Sequence, residues 1–282
     1  MRLFRAFVRR ALVVGLLIAA AVALLSLSQG QDAPEAKPAA PAEACLFGCP
    51  AGAPGANLLL ERPLYSLSAN PVTKFADWVA YRVDAANFGR HRPRHWRADP
   101  ALPEAATLEP PDFSQASRLL GWDRGHQAPL GSFEGSPFWE TLNYLSNITP
   151  QAASLNQGAW MKVEELERQL ARTAQVWVLT GPLFEQEMPL LPKADEPHRV
   201  PSGYWKVVST GDQNSFETLS LAFEQTTDLH ANFCDHQISI DEVERRAHLD
   251  VFPLLEAKRG ALLEAGLGRL GAQLGCRSRA DR

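Results

Sequence analysis

Apolar and polar residues alternate along several short stretches of the chain, a pattern that predicts β-strands. Lys74–Val83 and Ala174–Phe184 are rich in aromatic and β-branched residues, and the second contains a Gly-Pro pair near its end. Ser202–Thr210 and Glu217–Gln225 alternate in the same way on either side of the turn-forming sequence GDQNS. We therefore expect the last two strands to form a hairpin.

A helical period replaces this alternation in Leu155–Thr173. Apolar residues recur there every three or four positions and form one core-facing stripe of Ala159, Val163, Leu166 and Leu170. Ser154, just before this stretch, is the predicted N-cap. A second helix is predicted over Ser239–Ala247, and a third, less regular one over Leu254–Leu274.

The order of these elements predicts the fold class. Strands and helices are interspersed without the regular strand and helix alternation of a parallel sheet, and no internal repeat is apparent. We therefore expect an α+β fold around a central antiparallel sheet with flanking helices. The proline-rich segment Arg92–Pro111 is predicted to be a long surface loop.

The start of the chain differs in composition from the rest. Residues 1–30 begin with a basic stretch and continue into the uncharged apolar run Ala11–Leu27, whose length suits a signal peptide or an N-terminal membrane anchor. Residues 31–44 are rich in proline and alanine and are predicted to be an unstructured tether. Either leader predicts an exported domain over residues 45–282, which is periplasmic, secreted, or anchored to the inner membrane and facing the periplasm.

Four cysteines agree with export. Cys45 and Cys49 are near enough in sequence to close a small loop, and Cys234 and Cys276 would join the end of the chain to its body. A zinc site is the alternative, although one close pair and two distant single cysteines are not a usual zinc pattern. We expect two disulfides, Cys45–Cys49 and Cys234–Cys276.

The charge of the chain argues against simple attraction to an anionic partner. The formal net charge is −4, and because four arginines lie in the first ten residues, the part beyond residue 30 carries −8. A polyanion such as nucleic acid would therefore need a local basic groove or a bound metal ion.

Several polar residues of the kinds used in catalysis lie close together in GWDRGHQAPLGSF, residues 121–133. Asp123, Arg124 and His126 stand there within four positions, outside any apolar periodic pattern. Taken alone, His126 is better explained as a loop histidine with a structural role. The stretch acquires meaning only together with the helix that follows it.

On the predicted helix, four residues spaced by four lie on one inclined row away from the densest apolar stripe, namely Asn156, Trp160, Glu164 and Arg168. Individually, these residues have plain structural explanations. Asn156 is a common type of helix cap, and Glu164 with Arg168 is a common i,i+4 ion pair.

The segments DRGHQAPL, NYLSNITPQAASLNQGAW and VEELE follow one another along the chain. This series resembles the DNA/RNA non-specific endonucleases, the family of the secreted broad-specificity bacterial nucleases and of mitochondrial endonuclease G. The resemblance extends from CLFGC through FADWVAYRV, RHWRADPAL, TGPLF and SGYWKVV to the last cysteine. It is greatest for the secreted bacterial members, including the placement of the cysteines.

The resemblance implies a catalytic centre at defined positions of this chain. His126 matches the general base of the family, and a neutral imidazole is suited to accepting a proton from water near pH 7. Asn156 matches the single protein ligand of a divalent cation, and Glu164 matches the carboxylate that binds this ion through water. Arg94 matches the arginine placed against the scissile phosphate.

Further positions follow from the same resemblance. Arg124 and Arg168 match arginines that contact substrate phosphate. Asp123 is expected to tie its loop together rather than to react, and Trp96 and Trp160 are expected to pack. The implied architecture is the ββα-metal, or His-Me finger, fold, in which the histidine at the end of a strand faces a metal held by the following helix.

The sequence thus leads to a hypothesis about function. The resemblance implies an endonuclease that depends on Mg²⁺, with Mn²⁺ as a substitute, and that cleaves DNA and RNA to 5′-phosphorylated fragments. The alternatives are a phosphodiesterase for a smaller ester and a membrane-tethered nucleic-acid-binding protein of the same fold. The sequence leaves open whether the chain is a monomer or a homodimer.

Overall fold

The computed structural model of the protein describes residues 44–276. The leader predicted over residues 1–30 and all but the last residue of the tether predicted over residues 31–44 lie outside this range. None of the helices between Ala44 and Cys276 has both the length and the apolar character needed to cross a membrane.

Eight β-strands are present in the described part of the chain. They are Leu58–Glu61 (β1), Tyr65–Ala69 (β2), Ala76–Val83 (β3), Trp122–His126 (β4), Ile148–Ala152 (β5), Val176–Leu183 (β6), Gly203–Gly211 (β7) and Phe216–Glu224 (β8). Six of them form an antiparallel sheet in the order β1-β2-β3-β6-β7-β8, while β4 and β5 pair with each other. The four predicted strands and the predicted β7–β8 hairpin are confirmed.

The helices flank this sheet, as predicted. They are Ala116–Leu120 (α1), Ala153–Leu155 (α2), the π-helical turn Asn156–Trp160, Met161–Leu170 (α3), Ile240–Ala247 (α4), Ala257–Glu264 (α5) and Arg269–Gln273 (α6). The irregular third helix of the prediction is in fact two short helices, α5 and α6. Gly268 stands just before α6, and a side chain there would collide with the backbone of Thr218.

Alternation along β7 divides the core into two layers. Tyr204 and Val208 face the layer that contains α3, whereas Trp205 and Val207 face the layer that contains α4. Both layers bury apolar side chains completely, each of which contributes roughly 1.5–3 kcal/mol to stability. The central sheet is therefore covered on both faces, and α3 is held against one of them.

A buried ion pair joins α3 to the sheet. Lys206 of β7 lies among these apolar residues, and its Nζ is 2.7 Å from Oε1 of Glu167, with both side chains fully buried. The Tyr81 hydroxyl donates to Glu167 Oε2 at 3.0 Å, and the lysine lies 4.3 Å from the ring centre of Trp160. Such a pair is tolerated only because every member has a partner.

Outside the central layers, the structure confirms some expectations and changes others. Cys45 is bonded to Cys49 and Cys234 to Cys276. The segment predicted as a surface loop, Arg92–Pro111, contains only a short 3-10 turn, but it is partly buried. Its Asp99 is buried because it pairs with Arg62 and accepts a hydrogen bond from a serine hydroxyl.

The buried pair yields a stability prediction. Glu167→Gln leaves the Lys206 ammonium without a charged partner, so we expect the free energy of unfolding to fall by about 3–5 kcal/mol. Urea unfolding measures this loss. Glu165→Gln, on the exposed side of the same helix, is the matched control and should change stability by less than about 0.5 kcal/mol. Equal effects of the two substitutions would contradict a structural role for the pair.

Candidate active site

The β4–β5 hairpin and the helix after it form one local unit. The strands pair from Trp122 opposite Ala152 to His126 opposite Ile148, so His126 ends β4 where β5 begins. The chain then enters the helix directly, since α2 follows β5 without a loop. The helix starts at the opposite end of the paired strands from His126, yet the histidine and two residues that follow β5, Asn156 and Glu164, line one cavity.

The helix after β5 is not regular, and this corrects two predictions. The turn Asn156–Trp160 is π-helical, and Gly158 has non-helical dihedral angles of φ −104° and ψ −112°. Trp160 is fully buried and is not on an outward row. The predicted cap, Ser154, lies inside α2 and donates its hydroxyl hydrogen to the carbonyl oxygen of Thr227 instead.

Gly158 explains why the helix is irregular there. A Cβ atom at this position would lie 2.5 Å from the carbonyl oxygen of Leu229, so only glycine permits the approach of that loop. The extra residue of a π-turn rotates the residues before it relative to those after it. Asn156 and Glu164 therefore reach one cavity while Trp160 between them enters the core.

The cavity has a volume of about 510 Å³. It collects five of the six residues predicted to act on substrate or metal: Arg94, Arg124, His126, Asn156 and Glu164. The sixth, Arg168, lies beside it, because a Cβ atom at the cavity-lining Gly131 would be 3.4 Å from Arg168 Nη1. Side chains from distant segments thus meet at one site.

His126 is held in its neutral form. It is 9% exposed, and burial lowers its pKa to about 3, with the nearby Arg94 charge acting in the same direction and the Asn143 side chain opposing it. Its Nε2 atom is buried and has no hydrogen-bond partner among the described residues. The ring of Trp96 lies 5.2 Å away, centre to centre, and limits how far the imidazole can turn.

Asn156 is oriented by an aspartate. Its Nδ2 donates to Asp123 Oδ2 at 2.9 Å, and Gln157 Nε2 donates to the same oxygen at 2.8 Å. The hydrogen bond from its nitrogen fixes the orientation of the Asn156 amide, and the amide oxygen is left as the atom that can act as a ligand or acceptor. Asp123 therefore links β4 to the helix, a longer-range tie than the loop contact expected from sequence.

Glu164 has an unusual environment for a carboxylate. Burial raises its pKa to about 7, whereas the positive charge of Lys206 acts in the opposite direction and the negative charge of Glu167 acts with burial. Among the described residues it forms no direct ion pair with Arg168, the structural alternative considered above. A carboxyl that titrates near neutrality in a cavity is a common feature of functional sites.

The two arginines that line the cavity differ in how firmly they are held. Arg124 donates to the carbonyl oxygen of Pro110 at 3.0 Å and lies between the rings of Trp96 and Phe113, at 5.7 and 5.3 Å from their centres. Arg94 is exposed at the edge of the cavity. One guanidinium is thus fixed by the protein, and the other remains free to meet an anion.

Two asparagines near His126 were not identified from sequence. Asn147 is fully buried and binds the backbone of Ala128 through both ends of its amide, at 2.8 and 3.0 Å, which fixes the loop after the histidine. Asn143 is fully buried and acts to raise the pKa of the histidine, against the effect of burial. Their only signal in the sequence is polarity amid apolar neighbours in the stretch LNYLSNI. Trp96, predicted to pack, does pack but also touches the site.

Comparisons with known proteins agree with this arrangement. Residues 43–258 match the family of DNA/RNA non-specific endonucleases. A nuclease of Serratia marcescens is 41% identical over 238 residues, which are 83% of this chain and 89% of that protein. Human mitochondrial endonuclease G is 28% identical over 233 residues, or 75% of each protein.

A crystal structure of an EndoG/EndoGI complex has the same fold, with a TM-score of 0.67 and 22% identity over 79% of this chain and 96% of that one. The antiparallel sheet, the β4–β5 hairpin and the helix after it therefore form the predicted α+β, ββα-metal fold. The chain belongs to the DNA/RNA non-specific endonuclease family. It is accordingly an endonuclease, a hydrolase.

The irregular helix gives a first prediction for the site. Gly158→Ala forces the Leu229 backbone away, so we expect a loss of about 1–3 kcal/mol in stability and a fall in nuclease activity of up to about 100-fold, because Asn156 moves. Thermal melting and plasmid digestion measure the two effects. Gly55→Ala, where no atom lies within 4 Å of the new carbon, is the control. A Gly158→Ala protein with unchanged stability and activity would show that the turn is dispensable.

A second prediction concerns the pH dependence of stability. Because the folded-state pKa of His126 is below its unfolded value of about 6.5, only the unfolded state is protonated at this group between the two values. The contribution of His126 is therefore fully present above about pH 6.5 and is lost as pH falls below it, by up to about 1.4 kcal/mol per unit. Glu164 acts in the opposite sense, since its folded-state pKa is raised.

Comparison with His126→Asn separates the two groups, because Glu164 is present in both proteins. The unfolding free energy of the unmodified protein, minus that of the variant, should rise between about pH 4.5 and 6.5 and then level off. Urea titrations in EDTA measure this difference. Parallel curves for the two proteins would mean that the histidine is not buried in neutral form.

Proposed function

We propose that the protein is a Mg²⁺-dependent endonuclease that hydrolyses DNA and RNA to 5′-phosphorylated fragments, with His126 as the general base. The observation that carries the proposal is the cavity itself. A neutral histidine, an amide oriented by Asp123, and the carboxyl of Glu164 line it together with Arg94. Base, cation ligands and phosphate contact are thus available at one site.

The donor set at the cavity fits a hard divalent cation. The oxygen of Asn156 is the part of that amide left unengaged, and the Glu164 carboxyl lies on the same cavity, where it would reach the ion through water. A bound Mg²⁺ would neutralise charge that develops on the phosphoryl oxygens and on the departing 3′ oxygen. Mn²⁺ accepts similar oxygen ligands and is the expected substitute.

Two acidic clusters elsewhere do not carry this role. One consists of Glu109, Asp112 and Glu196, and the other of Asp241, Glu244 and Glu264. None of these six residues lines the cavity that contains the histidine. We therefore assign the catalytic cation to Asn156 and Glu164.

His126 and the arginines have different roles in the proposed hydrolysis. Nε2 of His126 is enclosed by the protein, so Nδ1 is the ring nitrogen that would accept a proton from the attacking water. The water oxygen bonds to phosphorus, and the bond from phosphorus to the 3′ oxygen breaks. Arg94, and further along Arg124 and Arg168, stabilise the negative charge on the phosphoryl group.

Low selectivity follows from what the site contacts. Arginines and a cation engage phosphate, which every nucleotide of DNA or RNA presents alike. The two disulfides suit an oxidising compartment, so we propose a periplasmic or secreted location or an inner-membrane anchor. A tether over residues 31–44, the domain bounds 45–282 and a homodimer remain proposals.

The general base is tested by His126→Ala. We expect digestion of supercoiled plasmid and of RNA to fall by about 10²–10⁴-fold, because the proton acceptor is lost. Gel electrophoresis with Mg²⁺ and with EDTA gives the rates. His248→Asn is the matched control, since His248 is exposed just after the end of α4, across the sheet, and asparagine tolerates its φ of 56°. Near-normal rates for a folded His126→Ala protein would contradict this assignment.

The alternatives are separated by substrate. A nuclease degrades plasmid and RNA, whereas a phosphodiesterase for smaller esters would hydrolyse only a small chromogenic diester. A binding protein would shift labelled DNA on a gel without cleaving it in Mg²⁺. Cleavage of both polymers, abolished by EDTA, is the outcome expected here.

A further inference from the structure

One exposed stretch beside the cavity is strongly basic. Arg90–Arg97, here called the basic segment, contains four arginines and two histidines in eight residues. All six of these side chains are exposed. The contrast with the net charge of −4 for the whole chain makes this local concentration notable.

Two arginines of the basic segment are held on aromatic rings. The guanidinium carbon of Arg92 lies 5.4 Å from the ring centre of Trp139, and that of Arg97 lies 4.9 Å from the ring centre of Tyr144. An exposed arginine otherwise loses up to about 2 kcal/mol of rotamer entropy when a ligand orders it. Stacking reduces this cost, so these two guanidinium groups are prepared for an anion.

Nearby carboxylates compensate only part of the charge. Oε1 of Glu134 lies 3.4 Å from Nδ1 of His91. Glu140 has two cationic neighbours: its Oε2 lies 3.1 Å from Nη2 of Arg97, and its Oε1 lies 3.9 Å from Nδ1 of His95. Four arginines against two glutamates leave a formal net charge of +2 when histidine is not counted. The basic segment with Trp139 and Tyr144 therefore remains an attractive surface for a polyanion.

The surface is continuous with the cavity. Arg94 and Trp96 belong to the basic segment and also line the cavity with His126. A chain extends by at most about 3.5 Å per residue, so Arg92 and Arg97 stand within about 10 Å of Arg94 along the backbone. One strand of a duplex carries a phosphate about every 3.4 Å along its axis. Both arginines are therefore within reach of phosphates next to the scissile one.

We propose that the basic segment, with Trp139 and Tyr144, binds the nucleic-acid strand flanking the cleavage site, with Arg92 and Arg97 on neighbouring phosphates. This inference rests on the proposed function and deepens it. An acidic protein partner is less well matched, because the basic segment leads directly to Arg94 in the cavity that contains His126. The surface lengthens the contact with substrate beyond the reacting phosphate and adds affinity without base selectivity.

Binding measurements on His126→Ala test the proposal without cleavage of the ligand. A labelled single-stranded oligonucleotide is titrated by fluorescence anisotropy at several salt concentrations. The slope of log Kd against log salt should fall by about 0.7 when Arg92→Ala or Arg97→Ala is added, because each contact releases counterions. Arg92→Lys should restore the slope, since it keeps the charge.

Two further variants complete the design. Arg245→Ala removes an exposed arginine of α4, on the other face of the sheet, and should leave the slope unchanged. Trp139→Leu should weaken binding by about 3–10-fold at an unchanged slope, because stacking is lost while the charges stay. Thermal melting confirms that each variant is folded.

The outcomes separate this inference from the proposed function. If Arg92→Ala and Arg97→Ala keep the parental slope while the unmodified protein cleaves plasmid, the nuclease stands and the flanking-strand surface is wrong. If the slopes fall but no Mg²⁺-dependent cleavage is found, the surface stands and the proposed function is wrong. Binding of an acidic protein with unchanged slopes for oligonucleotide would also overturn the inference.

Discussion

The site depends on one buried ion pair. The ion pair between Lys206 and Glu167 holds α3 against the central sheet, and both side chains are removed from water. Tyr81 and Trp160 supply the contacts that make this burial tolerable. Glu164 lies one turn before Glu167, so the lysine that anchors the helix also acts on the charge of the cavity carboxyl. Fold and site electrostatics therefore share one group.

The second constraint is the backbone of the helical segment that runs from α2 through the π-turn to α3. A continuous α-helix would place Asn156 and Trp160 on the same face, and one of them would be misplaced. The π-turn at Gly158 sends Trp160 into the core and Asn156 to the cavity, and the Leu229 backbone occupies the space that a side chain would need. Asp123 then fixes the asparagine amide from the neighbouring strand.

Burial shifts the pKa values of the two titratable side chains in the cavity in opposite directions, and both shifts suit the proposed chemistry. Burial and Arg94 keep His126 neutral, which is the form of a proton acceptor, and burial brings Glu164 close to titration at neutral pH. Arg124 is fixed between two rings, while Arg94 stays exposed. The cavity thus combines a neutral imidazole with one arginine that is held by the protein and one that is exposed.

The sequence by itself determined the features that are periodic or local. Aromatic and β-branched content located β3 and β6, alternation located β7 and β8, and the apolar stripe located α3. The resemblance of the short motifs to the endonuclease family pointed to His126, Asn156 and Glu164, which line one cavity. Such signals survive without a structure because burial of one face requires them along the chain itself.

Only the tertiary structure decided how those residues meet. The π-turn, the pairing of Lys206 with Glu167, the tie from Asp123 to Asn156 and the pairing of buried Asn147 with Ala128 leave almost no mark on the hydrophobic pattern. Each depends on a partner far away in sequence, and a buried polar group is stable only where that partner is found. Periodicity indicates which face of a helix or strand is buried, but it does not indicate which polar partner a buried polar side chain finds there.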